Sequence, residues 1–412
     1  MVVATLLPVF GVSGVLAQVD SISLQQATEL ALKQNQIVAV ADLDVRQSAS
    51  HLREVQSARY PQLSLRSHYL CAPDYGYSDI VTNGGEYGLQ LGAGIPLYDG
   101  GMRSTTIHQA SNAIDRSSVA LQKTKAELMF DVRSAYYELA HTLNELRIRK
   151  ETVGRLTDYV SFLTRLQQGG GAGAGDVLKA RVELSKAATE LESAHRLVRK
   201  GMLELNKLIG NPLEKEIKIT ENEPADTSAL PVFSIENNYS LRLLKHDEIS
   251  ASDNMSIARS ERLPTLTIAG DVGFLGVQPN EYRNNLGFSL FLTFEFPLLS
   301  WGGIENRIQQ QEISHQQIEK QLELQKRDLE TQWRTTLSDI AYERSALSAY
   351  AGNIGEAEKN YLLAKSSFAG GAGSNLEVLD AQRFLVDAKL DYNNTLYALN
   401  SSLANALKLS GR

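Results

Sequence analysis

One cysteine, Cys71, in 412 residues excludes an intrachain disulfide and any cysteine metal cluster. Long hydrophobic runs are missing too. Beyond residue 17 none approaches the roughly 20 apolar residues that a membrane-spanning helix needs, although 43% of the chain is apolar. A chain of this kind can cross a bilayer only with strands. Basic excess is absent, since 41 Lys and Arg against 48 Asp and Glu leave a net charge of −7. With no basic patch and interleaved aromatics, nucleic acid is not expected as a partner. The 7 histidines stand singly, with no His-x-x-x-His pair and no Gly-x-Ser-x-Gly nucleophile motif. No catalysis, cofactor or metal site is therefore assigned. Only 10 prolines occur, none of them between about Arg103 and Gln168 or between about Ile304 and Phe368. Uninterrupted, each stretch would reach roughly 100 Å as a helix.

What is present is a duplication with an offset of about 201 residues, too long a period for a short-repeat solenoid. The first copy reads Arg59-Tyr-Pro-Gln-Leu-Ser-Leu65, Ile95-Pro-Leu-Tyr-Asp-Gly-Gly101, a glycine-rich turn before Asp176-Val-Leu-Lys-Ala180, and Leu208-Ile-Gly210. The second answers in the same order: Arg262-Leu-Pro-Thr-Leu-Thr-Ile268, Phe296-Pro-Leu-Leu-Ser-Trp-Gly-Gly303, a glycine-rich turn before Glu377-Val-Leu-Asp-Ala381, and Leu409-Ser-Gly411. The organisation expected from this is a leader over residues 1–17, a first structural repeat over 18–210, a connector over 211–237 and a second repeat over 238–412. Met1 to Ala17 is apolar and ends in Val15-Leu16-Ala17, a secretory leader cleaved before Gln18, though it lacks the usual basic start. The connector carries Pro212, Pro224 and Pro231.

Ser21 to Ala58 reads as one helix capped by Ser23 and ended by Pro61. Leu63, Leu65, Ser67, Tyr69 and Cys71 then alternate with polar neighbours, and after the Asn83-Gly84-Gly85 turn the alternation resumes at Tyr87, Leu89, Leu91, Ala93 and Ile95. In the second copy one strand carries Leu266, Ile268, Gly270, Val272 and Phe274. Its partner carries Leu286, Phe288, Leu290, Leu292, Phe294 and Phe296, with Gly287, Ser289, Thr293 and Glu295 on the other face. This is a lipid-out, lumen-in pattern. A half-buried sheet in a soluble domain has the same period, but the flanking helices are too long to cover one compactly. A helix over about 238–262 precedes the second strand pair. Helices return over about 176–209 and 377–409. The first bears a seam of Leu184, Ala187, Leu191, Ala194, Val198, Gly201, Leu205 and Leu208, and the second one of Leu385, Ala388, Tyr392, Thr395, Leu399, Ser402, Ala406 and Leu409. Spacings of three and four with small residues in one row are coiled-coil patterning. A soluble antiparallel bundle would carry the same seam. Tyr136, Tyr137 and Trp333 read as packing residues.

A spanning sheet must close, or its edge would leave backbone groups unsatisfied in hydrocarbon. Four strands cannot close alone. A dimer would give eight strands with an interior filled by side chains, whereas a trimer gives twelve with room for a channel, so the trimer is favoured.

These motifs, in their order and duplication from about Ser23 to Gly411, resemble the TolC family of outer-membrane efflux proteins. The resemblance implies an α+β membrane protein: a homotrimer whose twelve-stranded transmembrane β-barrel, four strands per chain, continues into a long α-helical coiled-coil tunnel. It implies the outer membrane of a Gram-negative bacterium, with outer-membrane lipid around the barrel and the helices in the periplasm. It also implies partnership with a periplasmic adaptor and an inner-membrane transporter, making the chain the passive exit duct of a tripartite efflux or type I secretion system. The competing reading is a non-channel helical scaffold of the cell envelope.

The resemblance assigns sites residue by residue. Family acids at the positions of Glu377 and Asp380 line the tunnel entrance, where a trimer would gather them into a cation-selective constriction. Acids in the first turn of a helix are favoured by its dipole whatever they face, which is the competing reading. Asp176 stands where the family uses an acid to tether neighbouring hairpins. Its counterpart is Phe368, where some members have a tyrosine; a phenyl ring cannot make that hydrogen bond, so Asp176 and Phe368 are tether candidates, with capping of its own helix as the competing reading for Asp176. The turns Gly169-Gly-Gly-Ala-Gly-Ala-Gly175 and Gly370-Gly-Ala-Gly-Ser374 lack the Lys-Ser or Lys-Thr of a P-loop and follow helices, so they read as hairpin tips. Gly173, Gly175, Gly373, Ser374 and Leu376 are the expected adaptor contacts. Cargo is not legible, because selectivity would reside in the pump.

Overall fold

A computed structural model describes residues 21–70, 86–220, 230–276 and 286–411. The leader, Cys71, the Asn83-Gly84-Gly85 turn and Pro224 lie outside the described residues, as does the side chain of Tyr87. The elements are β1 (Ser21–Ile22), α1 (Leu24–Gln34), α2 (Gln36–Ser57), β2 (Gln62–Leu70), β3 (Glu86–Tyr98), α3 (Met102–Gln168) and α4 (Ala174–Ile209). After these come β4 (Lys218–Ile219), a 3-10 turn (Ile235–Asn237), α5 (Tyr239–Ser260), β5 (Thr265–Gly276), β6 (Leu286–Glu295), α6 (Gly303–Ala369) and α7 (Asn375–Leu409). The chain is mostly helical, and no described helix is long and apolar enough to cross a membrane. Contacts divide it into two compact units, one of Met1–Asn35, Glu127–Leu230 and Thr336–Leu407, the other of Gln36–Ala126, Pro231–Thr335 and Lys408–Arg412.

The second unit holds a four-stranded antiparallel sheet in the order β2-β3-β5-β6. Its register stacks the expected rows. Leu65 faces Leu91, Leu91 faces Val272, and Val272 faces Phe288. One side is thereby apolar across all four strands, and it is open: Leu65 is 71% exposed, Phe288 86% and Leu290 71%. The other side carries Ser64, Gln90, Gly92, Asp271, Ser289 and Thr293 in register. Gln90 Nε2 donates to Asp271 Oδ1 at 3.3 Å, and the Ser289 hydroxyl donates to the same carboxylate. Phe291 and its partner Ala269 are apolar residues on this otherwise polar side. β6 ends at Glu295, one residue short of the expected Phe296, which precedes Pro297.

The strand-to-helix motifs now have physical reasons. Asp99 accepts from the backbone of Gly101 at 3.1 Å and of Arg103 at 3.2 Å, which caps α3. Gly100 and Gly101 take φ of 66° and 89°, open to glycine at little cost. At the matching turn before α6 the left-handed positions are Trp301 and Gly302, with φ of 50° and 79°. Trp301 is 88% exposed. In the same unit, α5 packs Ala258 on Ile304 and Ile308 of α6, and Leu241 on Leu329 and Leu409. Trp333 stacks on Phe233 at 4.6 Å, a packing role as expected.

In the first unit α1 begins with a reciprocal capping box between Ser23 and Gln26. The single helix expected over Ser21 to Ala58 is corrected. Ser21–Ile22 pairs in parallel with Lys218–Ile219, and Asn35 breaks the helix with an extended backbone (φ −72°, ψ 128°). Asn35 is drawn out of helix because its side chain donates to the Leu208 carbonyl at 2.9 Å, satisfying the C-terminus of α4. Gly210 then closes α4 in the left-handed region at φ 76°. The end of α7, in the other unit, is built alike: Asn238 Nδ2 donates to the Leu409 carbonyl at 3.3 Å, and Gly411 has φ 79°. Tyr136 is buried and its hydroxyl lies 3.2 Å from both the Ile22 and Thr220 carbonyls, pinning β1 to β4. No residue of either seam is exposed. At Gly201 an added Cβ would lie 3.6 Å from the Leu139 Cα, so α4 approaches α3 closely there. α7 buries a second row besides its seam, Asn393, Leu396, Asn400 and Leu403.

Candidate functional site at the hairpin tips

The α3–α4 and α6–α7 turns belong to one unit. Each reverses through a glycine that no other residue could replace without strain, Gly170 at φ 81° and Gly371 at φ 79°. Gly171 N donates to the Leu166 carbonyl at 2.8 Å, and Ala372 N to the Ser367 carbonyl at 2.9 Å, closing the helix ends. Each following helix opens with an acid folded back on its own start. Asp176 Oδ2 accepts from Gly173 N at 3.1 Å. Glu377 Oε2 accepts from Ser374 N at 3.3 Å, while Glu377 N donates to Ser374 Oγ at 3.3 Å. That is a capping box, and both Ser374 and Glu377 remain exposed. Asp380, one turn on, lies 3.7 Å from Arg383. Val378 and Leu379 between Glu377 and Asp380, and Ala381 after them, face inward.

Phe368 packs into the tip cluster, its ring 6.4 Å from that of Tyr159. The hydrogen bonding there centres on a residue the sequence reading passed over. Asn375, 4% exposed, accepts from the Tyr159 hydroxyl at 2.8 Å and donates to the Asp176 backbone carbonyl at 3.2 Å. One amide thus links α3, α4 and α7. Burial pushes the Tyr159 phenol well above its ordinary value, with Tyr361 and Asp176 adding to the rise, so it stays a hydrogen-bond donor. The only sequence signal was polarity at the first position of a helix, which also describes any cap.

The expected contact residues are spread over the outer surface of the tips. Gly173, Gly175, Ser374 and Leu376 are exposed, Leu376 by 58%, and Gly373 is half-buried. A Cβ at Gly175 would meet nothing within 4 Å, whereas at Gly373 it would lie 3.1 Å from Phe368 N and 3.2 Å from Glu377 Oε2. Gly373 is therefore part of the cap, and Gly175 is open surface.

Comparison with known proteins agrees with this architecture. The family described as "Outer membrane efflux protein" matches over residues 27–211 and 230–412. The chain is 22% identical to the outer membrane protein TolC of Salmonella enteritidis, covering 91% of this chain and 80% of that one. It is 23% identical to the probable efflux pump outer membrane protein TtgC of Pseudomonas putida, covering 89% and 78%. The outer membrane channel CmeC of Campylobacter jejuni superposes with a TM-score of 0.85 at 17% identity, over 94% of this chain and 85% of that one. The chain belongs to the outer membrane efflux protein family, the TolC family, and is an outer-membrane protein of a Gram-negative bacterium.

Proposed function

We propose that three copies of this chain close a twelve-stranded barrel in the outer membrane, continued by a helical tunnel, and act as the passive exit duct of an efflux or type I secretion system. The observation that carries the reading is the sheet of β2, β3, β5 and β6. It has an open apolar face, a polar face and, among the described residues, β2 and β6 as its two edge strands. Such a sheet is stable in hydrocarbon only when its edges find strands of other chains. Tyr60 (72% exposed), Tyr98 (46%) and Trp301 (88%) gather where strands meet helices, and amphipathic rings favour the membrane–water interface. The exposed stripe Ile37, Val40 and Leu43 on α2, each more than half accessible, is suited to lateral contact with a second copy. Residues 18–210 and 238–412 would each supply one strand pair and one long hairpin, joined by 211–237.

In this duct Glu377 and Asp380 line the periplasmic entrance and bias it towards cations. Asp176 and Phe368 stand at the junction between hairpins, with Asn375 making the link that Phe368 cannot. Gly173, Gly175, Gly373, Ser374 and Leu376 form the surface offered to a periplasmic adaptor, which couples the duct to an inner-membrane transporter. Mass measurement in detergent, joined to conductance in planar bilayers, tests the proposal: a trimer that conducts is expected, and a monodisperse monomer or a non-conducting, fully soluble helical protein defeats it.

A further inference from the structure

We propose that Glu248 of α5 with His315 and Glu319 of α6 forms a binding site for a divalent transition-metal ion of the zinc type. His315 and Glu319 are four residues apart, so both side chains leave one face of α6. Glu248 meets them from α5, and one ligand atom of each residue lies within 4.8 Å of the other two. His315 Nδ1 and Glu319 Oε1 are 3.8 Å apart. That is too far for a hydrogen bond, yet close to the about 3.4 Å between two ligand atoms on a tetrahedral ion with bonds of about 2.1 Å.

Charge gives a second, independent reason. Neighbouring acids in this unit have basic partners: Asp247 meets Arg116 at 2.6 Å, Glu312 meets Arg259 at 3.0 Å, and Asp253 meets His108 at 2.9 Å. Glu248 and Glu319 converge instead on one imidazole, and among the described residues no arginine or lysine ion-pairs with either. Two converging carboxylates repel unless a cation lies between them. One imidazole nitrogen with two carboxylates suits zinc and its transition-metal neighbours, whereas calcium and magnesium prefer oxygen alone. Three protein ligands leave a fourth position for water. An ion here would clamp α5 to α6 in addition to their Ala258, Ile304 and Ile308 contact.

The test uses the full chain purified in detergent, stripped with EDTA, with Glu377→Gln and Asp380→Asn as background so that the tip acids cannot supply the signal. Zinc chloride is titrated, and bound metal is measured by atomic emission after dialysis. About one ion per chain is expected, with a zinc-dependent rise in melting temperature that excess magnesium does not reproduce. His315→Ala, Glu319→Gln and Glu248→Gln should each weaken binding about tenfold or more, while His195→Ala leaves it unchanged. Melting in EDTA, equal between variants and parent, identifies those that fold. Should His315→Ala fail to fold, the near-isosteric Glu319→Gln and Glu248→Gln carry the test. Zinc binding equal in the parent and the three variants overturns the site; loss in the α6 variants with full retention in Glu248→Gln overturns the clamp.

Discussion

Glu377 combines two roles that one substitution can separate. Glutamine keeps the acceptor that the capping box needs and removes the charge, so Glu377→Gln leaves the bond to Ser374 N possible. Combined with Asp380→Asn it should weaken block by divalent or trivalent cations and lower cation preference in single-channel recordings. Stability should fall by no more than about 1 kcal/mol per site, the worth of a first-turn acid in the helix dipole. Unchanged selectivity and block would leave both residues as helix-start acids. Tyrosines give a second residue-scale prediction. Burial raises the phenol pKa values of Tyr137, Tyr159, Tyr361 and Tyr397, the last pushed up to about 12 with help from Glu138. An unfolded tyrosine ionises near pH 10. Below that pH both states keep the proton and stability is complete; above it the unfolded chain gives up protons that the folded chain retains, so stability falls towards the folded pKa. Urea midpoints should drop from about pH 10 towards about pH 12, less steeply in Tyr397→Phe. Parallel drops in the two proteins would remove Tyr397 as a cause.

At the scale of elements, the glycines of the sheet are not equivalent. A Cβ on Gly273 would come within 2.1 Å of the Leu89 carbonyl oxygen on β3, while its cross-strand partner Gly287 has open space. Gly273→Val should cost about 1–3 kcal/mol by overpacking and reduce barrel assembly in outer-membrane fractions, whereas Gly287→Val should assemble normally. Equal assembly would mean that β3 and β5 separate freely. The hairpin tips make the complementary case: Gly175→Leu should preserve folding, since the site is open and leucine favours helix, yet reduce crosslinking to the adaptor and export at matched protein levels. Loss of folded protein instead would show that Gly175 serves the turn. The long helices and all four strands were legible in the sequence because period and proline distribution act over tens of residues. Two-residue strands have no period to read, which hid β1 and β4. The break at Asn35 was hidden because its cause, the Leu208 carbonyl, lies 173 residues away. The tip site divides the same way: its acids follow from local spacing, but Asn375 gains meaning only from Tyr159, 216 residues distant.

For the whole molecule, the family and its likeness to outer-membrane channels account for a chain that leaves large apolar side chains open on one side of its sheet. Closure with other chains would run through the two edge strands, β2 and β6. Those edges also have a genetic consequence. If every barrel is shared among three chains, a chain damaged at one edge spoils its partners' strands as well as its own. Co-expressed in equal amount with wild type and mixing at random, an edge-disrupting allele such as Leu290→Pro would leave only about one-eighth of trimers free of it. Export should then fall well below half, so the defect would behave as dominant, whereas a chain unable to reach the membrane at all would be recessive.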